Sequence, residues 1–161
     1  MSYVDQISIE KELLLEFLMK FSRFEFAVKH AGYVRGDGNC VEPDWKRFAA
    51  DIDNLFNKDN TPMLARACEY FLINPPYHQV LISGALGWSG CLPRKANTET
   101  ELLIDLVKRV RDNICHGGEY NERLHKESAL SEAFLRGSLL IIDECLRGSP
   151  GVSRAFTGKI L

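Results

Sequence analysis

Apolar residues recur at three- and four-residue steps over most of this chain, the period of helices that bury one face. Residues 9 to 31 carry Leu13, Leu14, Phe17, Leu18, Phe21, Phe24 and Val28 in that rhythm, with Gly32 as the stop. Leu15 and Phe26 widen the apolar stripe, which predicts a central helix or one that also meets a partner. Gly36-Asp-Gly-Asn39 reads as a turn. A second helix is expected from near Pro43 to about Asn57, with Trp45, Phe48, Ala49, Ile52, Leu55 and Phe56 inward. Thr61 and Pro62 form a cap and first position for a third helix, which Asn74-Pro75-Pro76 ends.

The pattern then changes. Gln79 to Ile82 and Ala85 to Trp88 are short extended runs around Ser83-Gly84, the signature of a small hairpin or ordered loop. Thr98 and Glu101 form a capping box ahead of a fourth helix with Leu102, Leu103, Leu106, Val107, Val110 and Ile114 on its apolar face. A fifth is expected from about Lys126 to Leu146, with Ala129, Leu130, Ala133, Phe134, Leu139, Leu140, Ile142 and Cys145 inward. The predicted fold class is all-α: an up-and-down bundle of about five helices with a small β-hairpin or extended loop inserted. Residues 1–150 form one domain in this expectation, and 151–161 a loose C-terminal tail.

Composition narrows the class. The 161 residues are 45% hydrophobic and 26% charged, ordinary for a globular domain with a real core. A net charge of −2 gives no global attraction for nucleic acid, so any phosphate contact must be local. No apolar run approaches the roughly 20 residues of a membrane span, and Met1 to Lys11 shows no apolar signal-peptide core. Cys40, Cys68, Cys91, Cys115 and Cys145 are scattered and odd in number, which suits reduced thiols in a cytoplasm better than disulfides or zinc. No metal or cofactor is expected.

Candidate chemistry gathers where the fourth helix runs into Arg111-Asp-Asn-Ile-Cys-His116-Gly-Gly118. At about 100° per residue, Arg109, Asp112, Asn113 and His116 share one polar side, while Arg111 lies about 140° from His116. An unwound last turn, the length of the arginine side chain, or a second copy of the chain could bring the two together. Histidine exchanges a proton near neutral pH and arginine offers a charged fork to phosphate oxygens. Together they can cleave RNA without a metal, with Asp112 or Asn113 orienting the imidazole. The same residues also suit a purely structural helix end, where cations complement the free carbonyls.

Other positions carry less. Arg23 and Glu25, about 200° apart on the first helix, are either surface charges or groups that contact RNA or support the site. Lys108, Arg109, Arg111 and Arg123 form a local basic cluster that Arg94-Lys95 extends. Trp45 and Trp88 could stack on bases but fit core or loop anchors better. Cys115 is expected to pack. His30, His78 and His125 have no partner at useful spacing and read as surface residues.

The Arg111-x4-His116 spacing resembles the motif of the HEPN superfamily of small helical-bundle proteins. Asp112 matches the polar residue that follows the family arginine, and Gly117-Gly118 resembles the ending of one group of members. Phe21-Ser-Arg-Phe-Glu-Phe26 and the Pro75-Pro76…Trp88 segment are also similar to that group. The resemblance implies a metal-independent endoribonuclease, active as a homodimer, with Arg111 and His116 catalytic and Asp112 and Asn113 supporting them. It further implies a role in toxin–antitoxin or antiviral defence, with an antitoxin or defence-system protein as partner. Relatives without the motif serve as scaffolds, so the alternative is a non-catalytic module that dimerises or docks on a partner through the first helix.

Overall fold

The stripe of Leu13, Phe17, Phe21, Phe24 and Val28 forms the buried side of α1 (Lys11–His30), each residue at most 4% exposed. The computed structural model of the protein describes residues 10–116 and 128–158, with only the backbone course for 128–131. On the far side of α1, Leu15, Met19 and Phe26 lie within about 40° of one another and are 60%, 65% and 51% exposed. The widened stripe therefore gives the helix a second apolar face, open in this chain.

Gly32, at φ 95°, turns the chain out of α1. Two four-residue strands follow, β1 (Val34–Asp37) and β2 (Cys40–Pro43), paired antiparallel from Val34↔Pro43 to Asp37↔Cys40. The sequence predicted only the turn. The strands escaped notice because nearly every residue in them is exposed, so they lack the alternation that marks a half-buried strand. Gly36 is required: its φ is 124°, and a Cβ there would meet the Cys40 carbonyl oxygen at 2.0 Å.

Pro43 thus belongs to a strand, and Asp44 is the N-cap of α2 (Trp45–Ile52), its carboxylate accepting from the Arg47 amide at 3.1 Å. The helix ends at Ile52 rather than near Asn57, and the Leu55 and Phe56 amides share the Ile52 carbonyl in the turn that follows. Leu55, expected inward, is 55% exposed. The Asn57 amide and the Asn60 side chain instead donate to Glu144, a carboxylate with 3% exposure that also pairs with Arg147. Burial alone would raise the Glu144 pKa, but the bonds from Arg147, Asn57 and Asn60 outweigh it and hold the group ionised.

Thr61 caps α3 (Pro62–Ile73) through the Leu64 amide at 3.1 Å, with Pro62 in the first turn as expected. Strands β3 (His78–Ile82) and β4 (Ala85–Ser89) form a second antiparallel hairpin. Ser83 and Gly84 carry positive φ of 50° and 80°, as the tight primed turns of two-residue hairpins require. Thr98 caps α4 (Glu99–Cys115) by accepting from the Glu101 amide at 3.1 Å. The returning Glu101 bond goes to the Asn97 amide at 2.8 Å, one residue before the position a capping box uses.

The last helices are α5 (Ser128–Gly148) and α6 (Pro150–Thr157). The stretch expected to be a loose tail from 151 is therefore mostly helix. Val152 and Ala155 are buried, and α6 packs on α1, where Arg23 donates to the Phe156 carbonyl and lies 5.5 Å from its ring. Proline at a helix start was the missed signal, since Pro150 both ends α5 and opens α6. The fold is mostly helical with two small hairpins, and α5 lies against α1, α3, α4 and α6.

The α3–α5 crossing is close enough that a Cβ on Gly137 would come 2.7 Å from the Phe71 ring. That ring is fully buried and edge-packed on Phe134 at 5.2 Å. Gly137→Leu should lower unfolding stability by about 1–3 kcal/mol through overpacking, read from the midpoint of a urea melt. An unchanged midpoint would show that the crossing is looser than described.

Candidate active site

Helix α4 has two unlike sides, and its core contacts decide where each points. Leu103, Ile104, Leu106, Val107 and Val110 are buried. That fixes the rotation of the helix and leaves Arg109, Asp112, Asn113 and His116 facing outward over the root of the β3–β4 hairpin. These four residues, with His78 and Gln79, line a cavity of about 210 Å³. The shared polar side predicted for α4 is therefore a real wall.

Two side chains of α4 tie the facing wall to the helix. The Asn113 side-chain amide donates to the Tyr77 carbonyl at 2.7 Å, pinning the start of β3 to α4. Asn113 thus positions the hairpin. Arg109 donates to the Cys91 carbonyl at 2.6 Å, which ties the connector after β4 to the same helix. Its nearest helical carboxylate partner, Asp105, pairs with Lys108 at 2.8 Å. Among the described residues, no carboxylate oxygen lies within 4.0 Å of Arg109. Asp105 acts on Arg109 electrostatically but is shared with Lys108, so this half-buried guanidinium can still take an anion.

His116 ends the helix, its amide donating to the Asp112 carbonyl at 2.9 Å, and its side chain is exposed at the cavity mouth. His78 was the residue missed. It is not an isolated surface group: it opens β3, lines the cavity, and has a buried Nδ1 without a partner among the described residues. Burial pushes the imidazole below its ordinary pKa and the nearby Arg109 charge adds to this, while a hydrogen bond with the Ser89 main chain partly offsets both. Only its place after Pro75-Pro76, at the root of a hairpin, could have flagged it.

Arg111 is not in the cavity. It lies on the other flank of α4, 4.9 Å from the Phe21 ring centroid and 3.8 Å from the Glu25 carboxylate. Its Nε is 3.1 Å from the Asp112 carboxylate. Asp112 therefore joins the motif arginine to the cavity, one carboxylate between them. Glu25 is placed behind Arg111 and also faces Lys29 at 3.4 Å. Arg23 belongs to the α1–α6 seam instead. Cys115, expected to pack, is exposed. Trp45 anchors the core among Phe21, Phe24 and Phe48. Gly117, Gly118, Arg123 and His125 lie outside the described residues.

No group of three or more His, Cys, Asp or Glu among the described residues is arranged to hold a metal ion, and none of their helices is long and apolar enough to cross a membrane. Comparison of the chain with protein-family models, curated proteins and solved structures gave no match.

The electrostatics of the cavity can be read from His78. An NMR titration should place its midpoint below about 6.5, and Arg109→Gln should move it partway back up, burial being the larger cause. The unfolded chain takes this proton more readily than the folded one. Stability linked to His78 therefore falls as pH drops through about 6.5. A midpoint at or above the ordinary value would contradict the burial of this ring.

Proposed function

We propose that this protein is a metal-independent endoribonuclease of HEPN type, cleaving RNA at the cavity between α4 and the β3–β4 hairpin. The observation that carries this reading is the half-buried Arg109 lining one cavity with two imidazoles. The arginine fork binds the nonbridging oxygens of a phosphodiester and stabilises the charge that builds on them. His116 transfers a proton at the attacked or leaving oxygen. Asp112 lines the cavity with His116, and Arg111, 3.1 Å from its carboxylate, offsets its negative charge.

The motif arginine thus supports the site from behind the wall, while Arg109 contacts the phosphate. The HEPN resemblance further implies a homodimer, and the open apolar face of α1 at Leu15, Met19 and Phe26 offers a surface for it. In that setting the protein acts as a cytoplasmic toxin or antiviral effector, held in check by an antitoxin or defence-system protein.

The same face of α1 favours a second reading, a non-catalytic module that docks on another protein. There His116 is only a helix end, whose cap bond is its backbone amide to the Asp112 carbonyl, so His116→Ala changes neither stability nor RNA.

Purified protein should cut single-stranded RNA in excess chelator. Arg109→Ala should slow cutting about 100- to 1000-fold, the loss typical of one charge-stabilising donor. His116→Ala should slow it by about 100-fold or more. Arg111→Ala should cost less than Arg109→Ala. All three variants should keep the wild-type helical circular dichroism. Equal cutting by wild type and His116→Ala would leave the docking module as the better account.

A further inference from the structure

Two imidazoles line the cavity, and the reading above employs one. His78 comes from a different element than His116 and reaches the cavity because Asn113 grips the Tyr77 carbonyl immediately before it. Across the hairpin its register partner is Ser89, whose main chain favours the charged form of the ring against the effects of burial and Arg109. The ring's Nδ1 is buried and has no hydrogen-bond partner among the described residues. His78 lines the same space as Arg109 and His116, so two imidazoles from separate elements and one guanidinium meet a single ligand there.

We propose that His78 is the general base of the cavity and His116 its general acid, so that one chain carries both proton-transfer groups of RNA cleavage. This rests on the endoribonuclease reading. In the step, His78 takes the proton from a ribose 2′-hydroxyl, and the 2′-oxygen forms a bond to phosphorus. The bond from phosphorus to the 5′-oxygen breaks, and protonated His116 gives its proton to that oxygen. The products are a 2′,3′-cyclic phosphate and a 5′-hydroxyl, and no water is consumed. Proton count balances: His78 ends protonated and His116 neutral, and solvent resets both.

The positions suit these roles. His78 is partly buried at the root of the hairpin and feels the Arg109 charge, both of which favour its neutral, proton-accepting form. Asp112 and His116 are the other titratable groups lining the space. His116 sits at the exposed mouth, where a departing strand reaches solvent.

The test uses an oligonucleotide with a single ribose, made with either oxygen or sulfur at the bridging 5′ position. A thiolate leaves without protonation, so sulfur removes the need for an acid and not for a base. His116→Ala should be slow on the oxygen substrate and regain most of the wild-type rate on the sulfur one. His78→Ala should be slowed about 100-fold or more on both. His78→Gln, which keeps a polar head for the Ser89 main chain, should match His78→Ala in rate while melting at the wild-type temperature. Wild-type rates in His78→Gln, or sulfur rescue of His78→Ala equal to that of His116→Ala, would overturn this role for His78 and leave the endoribonuclease reading standing. Failure of the wild-type protein to cut either substrate would sink both.

Discussion

The burial of one face of α4 governs the rest of the molecule. Leu103, Leu106, Val107 and Val110 are locked against α2 and α5, and burying such side chains stabilises by about 1.5–3 kcal/mol each. That set of contacts fixes the rotation of the helix about its axis. A helix held in one rotation sends every other residue to a fixed direction. Arg109, Asp112, Asn113 and His116 face the hairpin for that reason, and Arg111 faces α1 for the same reason.

The wall opposite is built with much less. A two-stranded hairpin is barely stable alone, and β3–β4 has exposed Leu81, Ile82 and Leu86 toward its tip. What steadies its root is the Asn113 bond to Tyr77, and Arg109 does the same for the connector through Cys91. The residues that form the cavity therefore also hold it together. Each of these polar groups has a positional task in addition to any chemical one, which is how a small domain economises on side chains.

The helices and their caps were legible in the sequence because they follow from local rules. Thr61, Pro62 and Thr98 announce their helices through groups a few residues away, and the period of Phe17, Phe21, Phe24 and Val28 marks a buried face. The polar side of α4 was equally readable from angles alone, as was the separation of Arg111 from His116. The first hairpin was not, since its strands bury almost nothing. The α6 helix was hidden by a Gly-Ser-Pro-Gly stretch that reads as a break, although its proline opens the helix. His78 could not be found from spacing, because the turn at Pro75-Pro76 and the bond from Asn113 bring it to His116 across a long stretch of chain.

The proposed function puts phosphate at Arg109, in the cavity that His78 and His116 also line, and not at the motif arginine on the opposite flank. A crystal structure with a short RNA blocked by 2′-deoxyribose at the cleavage position would test it most directly. The account predicts one phosphate within hydrogen-bond reach of the Arg109 guanidinium, with both imidazoles beside it. A phosphate bound at Arg111 with the cavity empty, or RNA bound only along the open face of α1, would contradict it.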